Sequence, residues 1–476
     1  MESGSLDAVD GVPRVAIVGG GPGGLFTAWH LERLTAVPLA VTIIEASGRL
    51  GGKVCTASFE TAAVRYEAGA AEFYDYSPVD DDPLRELVKQ MGLPTVALGG
   101  SSLFLAGQQI ANLDDLVDTF GTNARREYTT FDTRARSSMT PTEFYESGSD
   151  HAADAAAEGR FATMLEDIAC AGTRRYVSTM IHSDLATEPD ATNCGYGLQN
   201  YLMNDPAYMR LYCIPGGNEQ LVDAIAARLA AAVRFATVVT EVGTHADGSI
   251  RLQMQVDGQM RSEDFDIVIL ALPMDALKRV RFSGTILEEA MRRHVEHHDH
   301  PAHYLRISVL LDRPAPVLPG DDAYLMLEDF GGTCLYVESA RDPDAAHGVL
   351  GWLVGGAQAV EMASLPDEML VAAVLESLPP PLVACREQVL EARVHRWEGA
   401  VSALPGGWRR LTVDRRHRPS PAHPSLFVVG DYLYDSTLNG VLDSAEHVAR
   451  WVVVDHGHAR AMSRAGSAGN TSGTVP

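Results

Sequence analysis

A glycine-rich turn between a buried strand and a helix constrains this chain more than any other feature. The turn reads Gly19-x-Gly21-x-x-Gly24. It follows the apolar run 13–18 and precedes apolar residues at helical spacing, and a second β-branched run occupies 41–44. Glycines permit a tight turn and let the backbone approach a pyrophosphate, while the start of the helix supplies N–H donors. The sequence therefore predicts a strand–turn–helix–strand unit that binds a dinucleotide.

The acidic residue at the end of the second strand strengthens this prediction. Glu45 follows Gly24 by 21 positions, close to the spacing of about 20 that dinucleotide-binding units share. Its carboxylate can accept hydrogen bonds from both ribose hydroxyls and would repel a 2′-phosphate. The alternative is a chance glycine-rich turn, which this context disfavours.

A second glycine motif follows at once and is more specific. Residues 48–52 read Gly-Arg-Leu-Gly-Gly. This arrangement resembles the flavin-containing amine oxidase family, in which the glycine turn and acidic residue are followed by G-R-x-G-G. The resemblance implies that Arg49 contacts the cofactor phosphates and that Gly52 belongs to the cofactor site.

Further segments resemble the same family in the same order, so that the resemblance covers about residues 13–455. They are 66–72, which resembles the stretch past the flavin ring; 215–221, the glycine pair that re-enters the cofactor domain; 239–242, the strand at the adenine; and 429–445, the closing flavin motif. The additional cofactor-binding residues that these segments imply are Ala70, Val239, Asp431, Leu438 and Asn439.

The closing motif has a physical rationale. A helix that begins near Asn439 would direct its positive end at a flavin, whose reduced form is anionic around N1 and O2. The alternative is that Gly440 only permits close packing of helix and strand. Because the segment 397–407 contains no cysteine, FAD is predicted to bind non-covalently, with Cys55 the one exception considered.

The fold class expected is α/β, with a discontinuous Rossmann-like FAD-binding domain and a substrate domain of mixed β-sheet plus helices. Asn218 is a candidate N-cap, and a helix is expected from about 439 to 454. The predicted boundaries are 1–12 for a flexible tail; 13–79, 205–280 and 395–456 for the FAD domain; 80–204, mostly helical, and 281–394 for the substrate domain; and 457–476 for a disordered tail.

Two positions depart from the family and are the candidate catalytic residues. Arg306 stands where many members place a lysine opposite flavin N5; it cannot act as a titratable base but can anchor a water, a carbonyl or an anion. Glu72 stands where the amino-acid oxidases place the arginine that grips the substrate carboxylate. It would attract a cationic amine and can act as general base. The alternatives are a surface arginine on an edge strand and a solvated strand-end glutamate.

The aromatic cage of the monoamine oxidases is also altered. Thr437 occupies the position that usually holds one of its two aromatic residues. Four aromatic residues are candidates to replace it, namely Tyr336, Trp397, Tyr432 and Tyr434.

Composition excludes several classes of protein. The net charge is −25, so no nucleic-acid partner is expected. No run of about 18 apolar residues and no signal-peptide pattern occurs, which predicts a cytoplasmic protein without membrane contact. Histidines cluster at 294–303, but no paired cysteine or carboxylate set accompanies them, and no metal is predicted.

These observations favour an FAD-dependent oxidase or dehydrogenase that oxidises a C–N bond of an amine or amide to an imine by hydride transfer to flavin N5. O2 is the expected acceptor, giving H2O2, and a homodimer is left open. Two alternatives remain: a flavin-dependent desaturase or isomerase of an apolar substrate, suggested by Asp431, and a non-enzymatic module like the GDP-dissociation inhibitors. Three lysines against thirty-five arginines suggest a bacterial enzyme of specialised metabolism, such as antibiotic biosynthesis.

Overall fold

The computed structural model of the protein describes residues 12–100, 102–146, 159–318, 322–342, 345–434 and 436–468. The predicted tail 1–12 lies outside these ranges except for its last residue, and residues 469–476 of the predicted C-terminal tail also lie outside them.

Short strands alternate with helices along the whole chain. The strands are β1 (Arg14–Val18), β2 (Ala40–Ile44), β3 (Thr56–Ser58), β4 (Arg65–Glu67), β5 (Phe73–Asp75), β6 (Val96–Leu98), β7 (Leu103–Leu105), β8 (Gln108–Ile110), β9 (Arg210–Cys213), β10 (Ala232–Arg234), β11 (Thr237–Thr244), β12 (Ile250–Val256), β13 (Gln259–Phe265), β14 (Ile267–Leu270), β15 (Arg281–Ser283), β16 (Pro301–Leu311), β17 (Tyr324–Leu327), β18 (Thr333–Val337), β19 (Val349–Gly355), β20 (Val389–Ser402) and β21 (Leu426–Val428).

The α-helices are α1 (Pro22–Leu34), α2 (Pro83–Gln90), α3 (Leu113–Phe120), α4 (Thr122–Ser138), α5 (Pro141–Tyr145), α6 (Phe161–Glu166), α7 (Ala171–Leu185), α8 (Cys194–Leu202), α9 (Glu219–Ala226), α10 (Met274–Leu277), α11 (Thr285–His298), α12 (Gly356–Met362), α13 (Asp367–Glu376), α14 (Val413–His417) and α15 (Leu438–Ala468). Short 3-10 helices occupy Pro189–Ala191, Asp329–Gly331, Glu338–Arg341, Pro380–Gln388 and Asp431–Leu433.

The cofactor-binding half is built on a five-stranded parallel sheet. Its strand order is β10-β2-β1-β14-β21, with Val18 of the central strand opposite Ile44 and Leu270. Both faces of β1 are buried: Val15 and Ile17 pack with α1 and α15, while alternate residues pack under β11 and β12. A parallel sheet covered on both faces is the doubly wound architecture, so the predicted α/β class and discontinuous Rossmann-like domain are confirmed.

The second half is organised by a seven-stranded mixed sheet. Its order is β20-β16-β19-β18-β17-β7-β8. Strand β16 lies between β19 and β20, with Arg306 opposite Leu353 on one side and His395 on the other. Arg306 therefore belongs to an interior strand, and the alternative of a surface arginine on an edge strand is wrong.

Helices α2 to α8 and the strands β6, β7 and β8 occupy the stretch that was expected to be mostly helical. The helical prediction is correct in outline, but β7 and β8 extend the seven-stranded sheet. The last helix also runs beyond its predicted end at residue 454, to Ala468. Alanine, arginine and methionine in 457–468 favour a helix more than the scattered glycines and serines oppose it. Within the described ranges, no helix is both long enough and apolar enough to cross a bilayer.

Candidate active site

The glycine turn is closed on its protein side and open on the other. A β-carbon at Gly19, where φ is +108°, would lie 2.3 Å from the carbonyl oxygen of Ala271, and one at Gly24 would lie 2.0 Å from the carbonyl oxygen of Gly19. At Gly21 the nearest atom would be 3.8 Å away, the Cα of Gly52. Helix α1 then begins without a side-chain cap. The turn thus packs tightly on β1 and β14 and leaves backbone donors of the kind that bind a pyrophosphate.

Glu45 is held by the backbone around the turn. Its carboxylate accepts hydrogen bonds from the amides of Gly20 and Ser47, both at 2.7 Å. A carboxylate offers about four acceptor positions, so two are left for ribose hydroxyls. The Glu45 carbonyl also accepts from the Thr237 amide at 3.0 Å, which brings the start of β11, and with it Val239, beside the end of β2.

Arg49 ties the second glycine motif together. Its guanidinium donates to the carbonyls of Leu50 at 3.0 Å and Gly52 at 2.5 Å, and it pairs with Glu219 at 3.2 Å. The side chain is about two-fifths exposed. These contacts place Arg49 beside the start of α9, and its contact with cofactor phosphates remains a prediction.

A cavity of about 170 Å³, lined by Lys53 next to the second glycine motif, brings five of the predicted site residues together. They are Ala70, Glu72, Arg306, Leu438 and Asn439. The segment between β4 and β5 supplies the first two, β16 the third, and the start of α15 the last two. Both candidate catalytic residues therefore lie on the wall that the closing motif completes.

Lys53 and Asp431 link this cavity to a neighbouring one of about 200 Å³, which Asp431 lines. Lys53 lines both cavities. Its ammonium pairs with Asp431 at 3.3 Å and donates to the carbonyl of Ala400. Sequence reasoning missed Lys53, although it directly follows the second glycine motif.

Helix α15 begins at the cavity wall. Thr437 precedes it, and its Oγ1 accepts from the Gly440 amide at 3.0 Å, as an N-cap does. The Asn439 amide nitrogen donates to Asp82 at 3.1 Å, while its Oδ1 is buried without a partner in the described part of the chain. A helix start and an unused acceptor at this wall fit a polar ring system such as a flavin.

Arg306 is a fixed cation at the floor of the cavity. Its Nε donates to the Glu67 carbonyl at 2.5 Å and its Nη2 to Glu338, whereas Nη1 is buried without a partner among the described residues. Burial alone would lower the pKa of Arg306, but Glu338, Tyr336 and Glu72 outweigh it and raise the pKa. The side chain therefore stays protonated and leaves its Nη1 amino group as a donor for whatever occupies the cavity.

Glu72 is not a solvated strand-end residue. It is partly buried in the cavity wall, and Tyr336 donates to its Oε2 at 2.9 Å. Burial raises the pKa of Glu72 above its usual value, against the opposing influence of Arg306 and Tyr336. A carboxylate with a raised pKa beside a cavity is suited to accept a proton.

Glu67 is a buried acidic residue that sequence reasoning passed over. It accepts from the Asn218 amide at 2.8 Å and from Thr56 Oγ1 at 3.0 Å, and it pairs with Arg341 at 3.5 Å. Burial raises the pKa of Glu67 to about 7, although Arg341 opposes the shift. The only available signal was its place in the quoted segment 66–72.

Asn218 precedes α9 as predicted, but the role assigned to it is wrong. Its side chain does not cap the helix: Oδ1 accepts from the Ile214 amide at 3.0 Å, and Nδ2 donates to the Ala70 carbonyl at 3.0 Å. Asn218 therefore fastens the Pro-Gly-Gly loop to the stretch that lines the cavity.

The four aromatic candidates for the altered cage differ in whether they lie at the cavity. Trp397 lines the cavity and donates from Nε1 to the Ala68 carbonyl at 2.7 Å, while Tyr336 contacts Glu72. Tyr432 lines the neighbouring cavity, and Tyr434 packs against His417. Tyr74 and Tyr304, which sequence reasoning did not single out, also line the cavity.

Three residues of the histidine cluster line the neighbouring cavity of about 200 Å³, namely His298, His300 and His303, and none of its described residues lines the cavity of Glu72 and Arg306. His294 and His298 are buried, with ring centroids 4.7 Å apart, and both face Tyr432. Burial lowers the pKa of His294 to about 3. Nowhere in the described ranges do three or more histidine, cysteine, aspartate or glutamate side chains gather as a metal would require.

Solved structures of amine oxidases share this architecture. A putrescine oxidase with redesigned cofactor binding superposes with a TM-score of 0.70 at 17% identity, and wild-type putrescine oxidase bound to putrescine with 0.69 at 19%. Cyclohexylamine oxidase from Brevibacterium oxydans IH-35A gives 0.66 at 16%. Each match covers 93% of this chain and 99% of the other. At these identities the similarity establishes the fold.

Fold and sequence then agree on the class, a flavin-dependent oxidoreductase. The sequence model of the flavin containing amine oxidoreductases matches residues 22–453, which is most of the chain. The protein belongs to this family, and both the predicted membership and the prediction that the chain is an enzyme are confirmed.

Proposed function

We propose that the protein binds FAD non-covalently and oxidises the C–N bond of an amine to an imine. The observation that carries this proposal is the cavity in which Glu72 and Arg306 meet the start of α15. A flavin bound there would supply a hydride acceptor for the carbon next to the substrate nitrogen, and O2 would be the acceptor of the two electrons, giving H2O2.

The residues present fit such a cofactor along its whole length. Gly19, Gly21 and Gly24 with α1 would hold the pyrophosphate, and Glu45 the ribose. Gly52 and Arg49 would lie beside the phosphates, and β11 at Val239 beside the adenine. Asp431, Ala70, Leu438 and Asn439 would surround the ribityl chain and ring. No cysteine is among the described residues that line the cavity, which supports non-covalent binding.

Glu72 and Arg306 have different roles in the proposed reaction. A substrate amine arrives protonated, and Glu72 attracts it and takes its proton, so that the nitrogen lone pair can assist loss of the hydride. Arg306 is unable to act as a base, but its Nη1 offers a fixed hydrogen-bond donor next to the reacting atoms. Trp397, Tyr74 and Tyr304 confine the substrate and exclude water.

The alternatives receive less support. A desaturase or isomerase of an apolar substrate would leave the Glu72 carboxylate buried against hydrocarbon, which is costly. A non-enzymatic binding module would not need the closing motif or the uncapped glycine turn. The cytoplasmic location, the place in specialised metabolism and the homodimer stay predictions from the sequence.

The experiment is anaerobic mixing of the purified holoprotein with a panel of amines, including putrescine and cyclohexylamine, the substrates that give two structural neighbours their names. We expect the visible flavin absorbance to bleach with at least one amine and H2O2 to form when air is admitted. Glu72→Gln, which keeps the shape of the side chain, should slow bleaching by about 100-fold or more.

Acid precipitation gives a control for the cofactor itself. FAD should appear in the supernatant, and the precipitate should be colourless. A protein that stays colourless when FAD is supplied, or a flavin that no amine or amide reduces, would contradict the proposal.

A further inference from the structure

A second, smaller cavity continues the first one toward the helical region. It measures about 50 Å³ and shares five lining residues with the first cavity. These are Tyr74, Tyr304, Val401, Ser436 and Thr437. The two spaces therefore meet along a common wall, and a substrate longer than the flavin-side cavity would extend into the second.

Asp184 lies in this second cavity, one residue before the end of α7. Its Oδ2 accepts a hydrogen bond from Asn204 at 3.3 Å. No lysine, arginine or histidine of the described ranges forms an ion pair with it, and its Oδ1 accepts no hydrogen bond there. Burial, with a contribution from Glu72, raises the pKa of Asp184 to about 7. Asp184 is partly buried. A carboxylate that is shielded from water with no cation beside it is costly unless a ligand supplies the cation.

Aromatic rings surround this carboxylate. Tyr74 meets Tyr76 edge to face at 6.4 Å between centroids, and Tyr76 meets Phe144 at 6.0 Å. Tyr196 and Tyr304 also line the cavity, together with the non-aromatic residues Gln199, Asn200, Met203, Val401, Ser436 and Thr437. Ring faces attract ammonium groups, most strongly where water is excluded. Rings around a single acidic group form a compartment that suits a cationic nitrogen.

The contrast with Glu72 assigns different tasks to the two carboxylates. Glu72 has the Arg306 charge nearby and a hydrogen bond from Tyr336, so its negative charge is partly compensated. Asp184 has only a long hydrogen bond from an amide. A positive charge on the substrate therefore gains more from Asp184 than from Glu72, although only Glu72 lines the flavin-side cavity.

We propose that Asp184 binds a second cationic nitrogen of the substrate, remote from the C–N bond that is oxidised, so that the preferred substrates are diamines or longer polyamines. This inference rests on the proposed amine oxidation. It adds a specificity-determining residue and a substrate class, and it places the reacting nitrogen at Glu72 and the distal nitrogen between Asp184 and the tyrosines.

The test compares matched substrates rather than single rates. Diamines with three to six carbons are each paired with the monoamine in which a methyl group replaces the second ammonium. Wild type should show a higher kcat/KM for at least one diamine than for its monoamine. Asp184→Asn should lower that diamine's kcat/KM by about 10- to 100-fold, the usual size of a charge-assisted hydrogen bond, and change the monoamine's by less than about twofold.

The matched control is Asp190→Asn, the same chemical change at an exposed residue that pairs with Arg160 on the surface. It should leave both substrates unaffected. Equal losses for diamine and monoamine in Asp184→Asn, or no preference for any diamine in wild type, would overturn the inference.

A measurement of binding separates this inference from the proposed function. The melting temperature of the holoprotein is recorded anaerobically with each diamine and each monoamine, so that an amine that reduces the flavin does so only once. If neither class of amine reduces the flavin, amine oxidation fails; stabilisation of wild type by a diamine that is lost in Asp184→Asn would still support the binding site. Reduction by both classes, with equal stabilisation of wild type and Asp184→Asn, would leave amine oxidation standing and remove the role of Asp184.

Discussion

Arg306 shows how one residue can replace the chemistry of another while keeping its place. A lysine at this position would have a pKa that burial could shift, whereas the guanidinium remains charged and is fixed by the Glu67 carbonyl and by Glu338. The Arg306 guanidinium also lies 4.9 Å from the centroid of the Tyr336 ring. Arg306 therefore stabilises the surrounding structure and also supplies a hydrogen-bond donor to the cavity.

Removal of the Arg306 cation should destabilise the folded protein strongly. In Arg306→Met the Glu338 carboxylate would stay buried without its partner, and we expect the free energy of unfolding to fall by about 3–5 kcal/mol. Arg306→Lys keeps a charge and should cost clearly less. Urea denaturation of the holoprotein gives the values. The exposed Arg292, changed to methionine, is the control and should stay within about 0.5 kcal/mol of wild type; a similar loss there would refute the argument.

Asp184 should make substrate preference depend on pH. Its titratable neighbours are Glu72, Tyr74, Tyr304, Tyr324 and Cys334. With a pKa of about 7, Asp184 is neutral well below pH 7 and anionic above it. The ratio of kcat/KM for a diamine to that for its monoamine should therefore rise as pH increases through about 7 and then level off. Dividing the two rates removes the shared titration of Glu72. In Asp184→Asn the ratio should be flat, and a persisting rise would assign the effect elsewhere.

At the scale of elements, the glycine turn was predictable because its geometry is local. Close contact between β1, the turn and α1 requires glycine at fixed spacing, and all the residues involved follow one another in the sequence. Strand β13 carries no such local signal. Its residues 259–265 are mostly polar and exposed, and it is an edge strand that pairs with β12 and whose Glu263 is bound by Arg14 and Arg234. Asn218 was misassigned because its partners, Ile214 and Ala70, lie on other segments.

Two glycines of this region should respond very differently to the same substitution. A β-carbon at Gly24 would lie 2.0 Å from a backbone oxygen, while one at Gly48 would meet nothing within 4 Å. We therefore expect Gly24→Ala to be purified with little or no flavin and Gly48→Ala to bind it as wild type does. The ratio of visible to ultraviolet absorbance after purification measures this. Full flavin occupancy in Gly24→Ala would show that the turn does not hold the pyrophosphate.

For the whole molecule, the sequence predicted the architecture better than the pocket. The order of motifs predicted a discontinuous Rossmann-like domain drawn from residues 13–79, 205–280 and 395–456. The structure has a parallel sheet whose strands come from residues 14–44, 232–270 and 426–428. The pocket was harder because its walls come from β5, α7, β16 and the start of α15, and no local pattern reports their meeting. Lys53, Glu67 and Asp184 were overlooked for this reason. The assigned roles of the cofactor-binding and catalytic residues stay predictions until they are tested.

Unfolding should be cooperative across both halves. Buried ion pairs join Glu67, at the end of β4, to Arg341, and Arg306 to Glu338. Only the Glu67–Arg341 pair crosses between the halves, because Arg306 and Glu338 both belong to the half with the seven-stranded sheet. Arg306 adds a second link, since it donates to the Glu67 carbonyl. The buried Glu67 carboxylate therefore loses its compensating charge when the halves separate. Flavin release, monitored by its fluorescence, should therefore have the same midpoint on heating as the loss of secondary structure, monitored by far-ultraviolet circular dichroism. Two separated transitions would show that the halves are independent.

The same buried pairs limit how this enzyme can be rebuilt. Exchange of the half that contains the seven-stranded sheet for that of a relative without Arg341 would leave the buried Glu67 carboxylate without its cation. A chimaera would need to transfer Glu67, Arg306, Glu338 and Arg341 as a set. Evolution faces the same restriction, so new substrate preferences in this scaffold are expected to arise in the tyrosine-lined compartment rather than at the seam between its halves.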